Sequence, residues 1–345
     1  MSPILVAMGN PLLDMQVTGG EALLAKYNLK SNDAVLAEGN QTEIYADIQK
    51  NHEVTYVAGG AAQNAARAAQ YVLPAGSTAY LGAVGSDDLA KQLTAANEKE
   101  GLQSAYQIVA DKPTGACAVV ITGHDRSLCT ELGAAEAFKP AHLETPEVKA
   151  LLAGAKFFYL GGFFLTHGLE SAKIVAQHAV DHRQIFSMNL SAPFIPQFFK
   201  SQVDEILPFV DILIGNESEA EAYAASHEWD TKDIASIAIK LASSPKLASR
   251  PRIVIITQGP SSTIVASSTS ASSTPTTKVY PVTLLDSSAI VDTNAAGDAF
   301  AGGFIGAYVQ GKSVDQSIET GHRLAKMCIG QVGAQWAWPK QDLFA

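Results

Sequence analysis

The sequence predicts an α/β fold: a mainly parallel, doubly wound sheet with helices on both faces and a small β-rich lid. Three observations carry this expectation. Apolar runs of strand length, bounded by Gly or Asn, alternate with longer stretches of helical spacing, the pattern of parallel strands joined by crossover helices. The alternation fails in two regions, 15–57 and 113–133, where short strand-like pieces stand in place of helices. Apolar residues make up 47% of the 345, and Pro and Gly fall between the periodic segments, so the chain has the material for a sizeable core.

Taken in order, strands are expected at 4–9, 79–85, 157–161, 185–190, 212–215 and 253–257. Helices are expected between them at 60–72, 87–100, 170–182, 217–226 and 231–242. The strand pieces at 34–37 and 116–122 belong to the lid, which divides the chain into a large domain (1–14, 58–112 and 134–345) and a small one (15–57 and 113–133). The Ser/Thr-rich stretch 261–278, with strand-like 263–266 before it and 279–282 after it, reads as a mobile hairpin loop.

The net charge of -10 and the lack of any Lys/Arg run argue against a nucleic-acid partner. No segment reaches the roughly twenty apolar residues of a membrane span. Three scattered cysteines, Cys117, Cys129 and Cys328, do not make a disulfide framework and suggest a reducing compartment. With no basic, apolar leader at the N-terminus, the expected location is cytoplasmic, with nuclear entry open.

The most informative segment is Ile290-Val-Asp-Thr-Asn-Ala-Ala-Gly-Asp298, a β-type stretch that runs through small residues into a helical pattern. A helix N-terminus is expected at residues 295–297, where unpaired amides and the helix dipole favour an anion. Asp298, in the first turn, is then placed to accept a proton from a hydroxyl attacking a phosphate. The other reading is a plain strand-to-helix turn in which Asp298 only complements the dipole.

Gly9-Asn-Pro-Leu-Leu-Asp14 follows the first strand, so Asn10 and Asp14 fall at a strand's carboxyl end, where open α/β sheets bind ligands. A carboxylate there accepts two hydroxyls at once and suits a ribose diol, although an Asp that caps a turn fits the motif equally. In Ala58-Gly-Gly-Ala-Ala-Gln-Asn64, Gly59 and Gly60 allow close backbone approach and Asn64 projects one turn into the next helix. Asn216-Glu-Ser-Glu219 ends a strand and opens a helix; Asn216 and Glu219 suit Mg²⁺ held through water, while spacing alone favours Asn216 as a cap.

Two patterns are set aside. Gly306-Ala-Tyr-Val-Gln-Gly-Lys-Ser313 has P-loop spacing but lies where a helix ends rather than between a strand and a helix. His178 and His182 share a helical face without a third ligand and read as surface residues rather than a zinc site.

Together these segments resemble the ribokinase-like carbohydrate kinase family, from Gly9 to nearly the C-terminus. Asp292-Thr-Asn-Ala-Ala-Gly-Asp298 resembles its anion-hole and catalytic motif, and Ala58-Gly-Gly-Ala-Ala-Gln-Asn64 its substrate-side glycine motif. Within the family, the segments 9–14, Thr122-Gly-His-Asp-Arg-Ser-Leu128, Gly161-Gly-Phe-Phe-Leu-Thr166, Asn189-Leu-Ser-Ala-Pro-Phe194 and Thr257-Gln-Gly259 are similar to the branch that acts on adenosine.

The resemblance implies a three-layer sandwich and a monomer that uses ATP to phosphorylate the adenosine 5′-hydroxyl, a purine-salvage step. It implies Asn10, Leu12, Asp14, Gly59, Gly60 and Asn64 on the nucleoside, with Leu36, Leu132, Phe164 and Phe194 around the base. Arg126 on the lid, with Asp298 and the amides of Ala295, Ala296 and Gly297, would serve the transferring phosphoryl group. Asn189, Asn216, Thr257, Gly259, Asn294 and His322 would serve ATP, with Mg²⁺ and a monovalent cation such as K⁺. Two positions depart from the family: Ala295 stands where Gly is usual, and Ala61 where many relatives have Ser. The rival readings are a kinase for another nucleoside or a sugar, against which Phe164 and Phe194 argue, and a purine-binding protein without catalysis, against which Asp298 argues.

Overall fold

The computed structural model describes residues 2–18, 20–31, 34–123, 125–270 and 273–344. His124 of the segment 122–128, residues 32 and 33 of the lid, and 271–272 of the Ser/Thr-rich loop lie outside the described residues.

The first strands are β1 (Leu5–Met8), β2 (Leu12–Thr18), β3 (Ala34–Leu36), β4 (Thr55–Gly59), β5 (Thr78–Val84), β6 (Gln103–Ile108) and β7 (Ala116–Thr122). They are followed by β8 (Asp125–Glu131), β9 (Phe157–Gly161), β10 (Ile185–Asn189), β11 (Ile212–Asn216), β12 (Ile253–Thr257), β13 (Thr263–Ser267) and β14 (Thr276–Tyr280).

The large sheet runs β14-β13-β12-β11-β10-β9-β1-β5-β6. It is parallel from β12 to β6, and β12, β13 and β14 pair antiparallel at one edge. Chain order reverses at β1, with β5 on one side and β9 on the other, and Met8 is level with both Leu81 and Leu160. The carboxyl ends of β1 and β9 therefore open together at the switch point where sheets of this kind hold ligands.

Alternation along the strands sends Val6, Met8, Phe158, Leu160, Phe186 and Met188 to one core. Leu5, Ala7, Tyr159, Ile212 and Ile214 go to the other, against the helices Ala61–Val72 and Ala296–Val309. Each large apolar side chain so buried contributes about 1.5–3 kcal/mol. The two helices cross closely because a Cβ at Gly302 would fall 2.3 Å from the Ala65 carbonyl oxygen and the Ala68 Cβ.

The expected helices are observed to within a few residues, and side-chain caps explain two of the shifts. Asp87 accepts from the Ala90 amide to start Asp88–Glu100, and Asp233 accepts from the Ser236 amide to delay the helix expected at 231–242 to Ile234–Ser243.

The second sheet, β3-β8-β7-β2-β4, begins at Leu12 and returns at Gly59, so its pairing reaches past 15–57 at both ends. Its outer face buries Met15, Val17, Ala118 and Val120 under two helices, Glu21–Tyr27 and Ile44–Asn51, which the strand-like reading of this region missed. The inner face, with Asp14, Cys117 and Thr130, looks onto the ends of the large sheet.

Candidate active site

A cavity of about 390 Å³ lies between the two sheets. Gly9, Asn10, Gly161, Asn189, Gly215, Asn216 and Thr257, at the carboxyl ends of the large sheet's strands, form its floor. Leu36, Leu128, Leu132, Phe163, Phe164 and Phe194 are its large apolar lining; Phe164 is fixed edge-on against Phe138 at 5.5 Å. Asp14, Asn64, Glu219 and Asp298 supply polar side chains to it, and Gly60, Asn294, Ala295 and Gly297 also line it.

Most of the residues expected at the site therefore meet in one space, Leu12 included. Five do not line it. A Cβ at Gly59 would lie 2.2 Å from Asp14 Oδ1, so this glycine makes room for the carboxylate and sits behind it. Ala296 is the first residue of the helix Ala296–Val309. Gly259 occupies a turn after β12, and His322 bonds through Nε2 to Thr263 Oγ1 at 2.8 Å. Arg126, buried on β8, places its Nε 3.4 Å from Asp292 Oδ2.

Asp292 organises the loop before the catalytic helix. Its Oδ1 accepts from the Asn294 amide and its Oδ2 from the Gly333 amide, both at 2.9 Å. The chain then turns through Ala295, whose φ of 60° is left-handed, and enters the helix. Three amides, 295 to 297, were expected to face an anion. The Ala296 amide instead donates to the Thr293 carbonyl at 3.3 Å, which leaves Ala295 and Gly297 without a backbone acceptor among the described residues.

Enclosure raises the acidic groups. Asp298 is pushed up to about 7 by burial, opposed by a hydrogen bond from Asn64 Nδ2 at 3.1 Å and assisted by the charge of Asp14. Asp14 is also pushed up to about 7 by burial, with Arg67 opposing and Asp292 assisting. Arg67 is held in place by Glu100 at 2.5 Å and by the Ala58 carbonyl. Glu219 reaches about 7, again through burial. Its oxygens accept from the Asn216 backbone and side-chain amides at 3.0 Å, while Asn216 Oδ1 accepts from the Glu219 amide at 2.8 Å. Asn216 thus caps its helix and lines the cavity at once.

Sequence reasoning missed Tyr159, Cys117, Thr130 and Ser191 in the cavity wall. Tyr159 lies in a strand buried on both faces, where nothing in the apolar run marks a residue that reaches the site. The set-aside patterns have structural accounts. Gly306 is inside the helix Ala296–Val309, and Lys312 lies over the Phe344 ring at 4.4 Å. His178 and His182 stack at 4.1 Å, and His178 Nε2 meets the Leu152 carbonyl.

A carboxylate in the first turn of a helix that opens on the ends of a parallel sheet, roofed by a second sheet, places the chain among ribokinase-like phosphotransferases with an alcohol acceptor. The model of the pfkB family of carbohydrate kinases matches residues 21–341, and the chain belongs to that family. It is 54% identical over 341 residues to the adenosine kinase of Schizophyllum commune, covering 98% of each chain. It is 47% identical over 344 residues to that of Schizosaccharomyces pombe, covering 99% of this chain and 98% of the relative. Among solved structures, Anopheles gambiae adenosine kinase in complex with P1,P4-di(adenosine-5) tetraphosphate is similar with a TM-score of 0.91 and 41% identity, over 96% of this chain and 97% of that one. Schistosoma mansoni adenosine kinase in complex with 2-fluoroadenosine gives 0.91 and 34%, over 98% of each chain.

Proposed function

We propose that this protein transfers the γ-phosphoryl group of ATP to the 5′-hydroxyl of adenosine, giving AMP and ADP, with Asp298 as general base. The observation that carries the reading is the Asp298 carboxylate, set at the mouth of a helix dipole and raised to about 7, in a cavity that Phe163, Phe164 and Phe194 also line. A base serves best when its pKa lies near the working pH. The 5′-hydroxyl proton passes to Asp298 as the new O–P bond forms; the bond from the γ-phosphorus to the bridging oxygen breaks, and its electron pair leaves with ADP. The amides of Ala295 and Gly297 stabilise the charge on the migrating group, and Arg126, swinging from Asp292, adds to this.

Asn64 Oδ1 is buried without a partner among the described residues, so a ribose hydroxyl that donates to it removes a desolvation cost. Asp14 takes further ribose hydroxyls, which favour its charged form. The cavity falls within the about 300–1,000 Å³ usual for such ligands, and Leu36, Leu132, Phe164 and Phe194 offer the base stacking area. ATP would extend from Asn189, Asn216, Thr257 and Asn294 toward Gly259 and His322.

The donor set at Asn216 and Glu219 fits a hydrated Mg²⁺: one carboxylate, already engaged in a cap, suits contact through water and not an inner-sphere cage. Bound there, the ion would neutralise phosphate charge. The anion-hole loop, built around the Asp292 carboxylate, is the place for a monovalent cation such as K⁺. The second sheet, with the segments 15–57 and 113–133 that carry most of it, acts as a lid that excludes water, which would otherwise take the place of the nucleophile.

The working form is a monomer in the cytoplasm, with nuclear entry left open, acting on small molecules and not on nucleic acid or membrane. No helix among the described residues is long and apolar enough to cross a membrane.

The test is a coupled assay of ADP release with a panel of nucleosides and sugars. ADP should appear in step with added adenosine, and Asp298→Asn should lower turnover by about 10³-fold. Turnover of ribose or fructose with adenosine inert would replace this reading with a sugar kinase. Tight adenosine binding without ADP would make it a binding protein.

A further inference from the structure

His167 lies just behind the cavity wall, and its Nε2 is 2.9 Å from Asn10 Oδ1. Its ring packs edge-on against Phe164 at 5.0 Å, and its Nδ1 is buried without a partner among the described residues. Two arrangements of this pair are possible in principle. In one, Nε2–H donates to the Asn10 oxygen and Nδ1 is left as a bare lone pair. In the other, the Asn10 amide is reversed and donates to Nε2, so the proton sits on Nδ1 as a buried, orphaned N–H.

Unpaired buried donors are rarer and costlier than under-used acceptors, so the first arrangement holds. Protonation of both nitrogens would bury that same orphan with a charge. Burial accordingly pulls His167 down to about 4, with Glu136 opposing and Lys139 assisting. Asn10 is 6% exposed and lines the cavity, and its Nδ2 has no side-chain or backbone partner among the described residues.

We propose that His167 is a positioning residue that sets substrate choice: its Nε2–H locks the Asn10 carboxamide with the NH₂ group toward the cavity, so the site demands a hydrogen-bond acceptor on the ligand there. This rests on the nucleoside reading, since a purine offers such acceptors as its unprotonated ring nitrogens. A reversed amide would ask for a donor instead.

The test compares adenosine with the deazaadenosines, in each of which one ring nitrogen is replaced by C–H. Wild-type protein should disfavour one of them by about tenfold in kcat/KM. His167→Phe keeps the aromatic packing but cannot donate; it should raise KM for adenosine about tenfold, leave kcat within about twofold, and erase the discrimination. His167→Gln, which can donate, should restore it. An equal rise in KM for every analogue, or no rescue by Gln, overturns the proposal.

A second measurement needs no substrate. Nitrogen NMR of the ligand-free protein should show His167 as the neutral Nε2–H tautomer from about pH 5 to 8. An Nδ1–H tautomer or an imidazolium in that range overturns the proposal. If the protein turned over no adenosine, the functional reading would fail while this spectrum still decided the tautomer.

Discussion

Asn64 Nδ2 donates to Asp298 Oδ2 at 3.1 Å and so joins the helix that follows the glycine motif to the helix that carries the proposed base. This bond favours the carboxylate and opposes the rise that burial imposes. A base works only when ionised, so kcat/KM should fall as pH drops through about 7. Asn64→Ala removes the opposing bond, moves that acid limb to higher pH and lowers kcat/KM at pH 7 about tenfold. An acid limb that stayed where the wild type has it would show that the bond does not tune the base.

The same acids tie stability to pH. Asp14 and Asp298 rise from 3.8 to about 7 and Glu219 from 4.5 to about 7, so between those values the folded protein binds protons that the unfolded chain has released. Their contribution is therefore complete below about pH 4 and is lost as pH rises through about 7. Asp298→Asn cannot ionise. Calorimetry from pH 5 to 8 should show a shallower fall in Tm for this variant, and a Tm above wild type by about 2 °C or more at pH 8. Parallel curves would sink the linkage.

Much of this site was legible because its chemistry sits where strands end and helices begin. Small residues before Asp298, two glycines before Asn64, and Asn10 and Asp14 after β1 mark such junctions by type and spacing alone. The pairing of Asn64 with Asp298 was not legible, since only the packing of Ala61–Val72 on Ala296–Val309 brings them together. Glu21–Tyr27 and Ile44–Asn51 were missed because about two turns give too little periodicity to outweigh the β-rich residues around them. Arg126 was read as a phosphoryl contact, and no motif could show that its guanidinium rests on Asp292.

Lys312 provides a control. Its ammonium lies over Phe344, outside the cavity, on a turn that closes a helix. Lys312→Ala should leave turnover within about twofold and cost at most about 1 kcal/mol of stability in denaturant titration. A collapse of activity would mean that the P-loop spacing is functional after all.

Ala295 holds a left-handed φ of 60°, which costs an L-residue roughly 1–2 kcal/mol. Ala295→Gly relieves that strain but gives the unfolded chain about 0.4–1 kcal/mol of extra freedom, so Tm should move by no more than about 2 °C. Ala295→Val adds a β-branch where none is tolerated. It should lower kcat at least about tenfold by displacing the amides that face the phosphoryl group, at a cost of about 1–3 kcal/mol in stability. A valine variant with wild-type kcat would remove this loop from the proposed chemistry.

Asp292 and Arg126 are both buried, but they are not equivalent partners. Asp292→Ala takes the carboxylate from beside the guanidinium and frees the amides of Asn294 and Gly333, so it should cost about 3–5 kcal/mol by denaturant titration. Arg126→Met leaves Asp292 with both amide donors and fills the space of the lost side chain, so its stability cost should be smaller. If Arg126 also neutralises the migrating phosphoryl group, Arg126→Met should still lower kcat by about 10²–10³-fold. The two variants therefore separate holding the loop from serving the reaction. An Arg126→Met protein with wild-type kcat and reduced stability would assign the arginine to the loop alone.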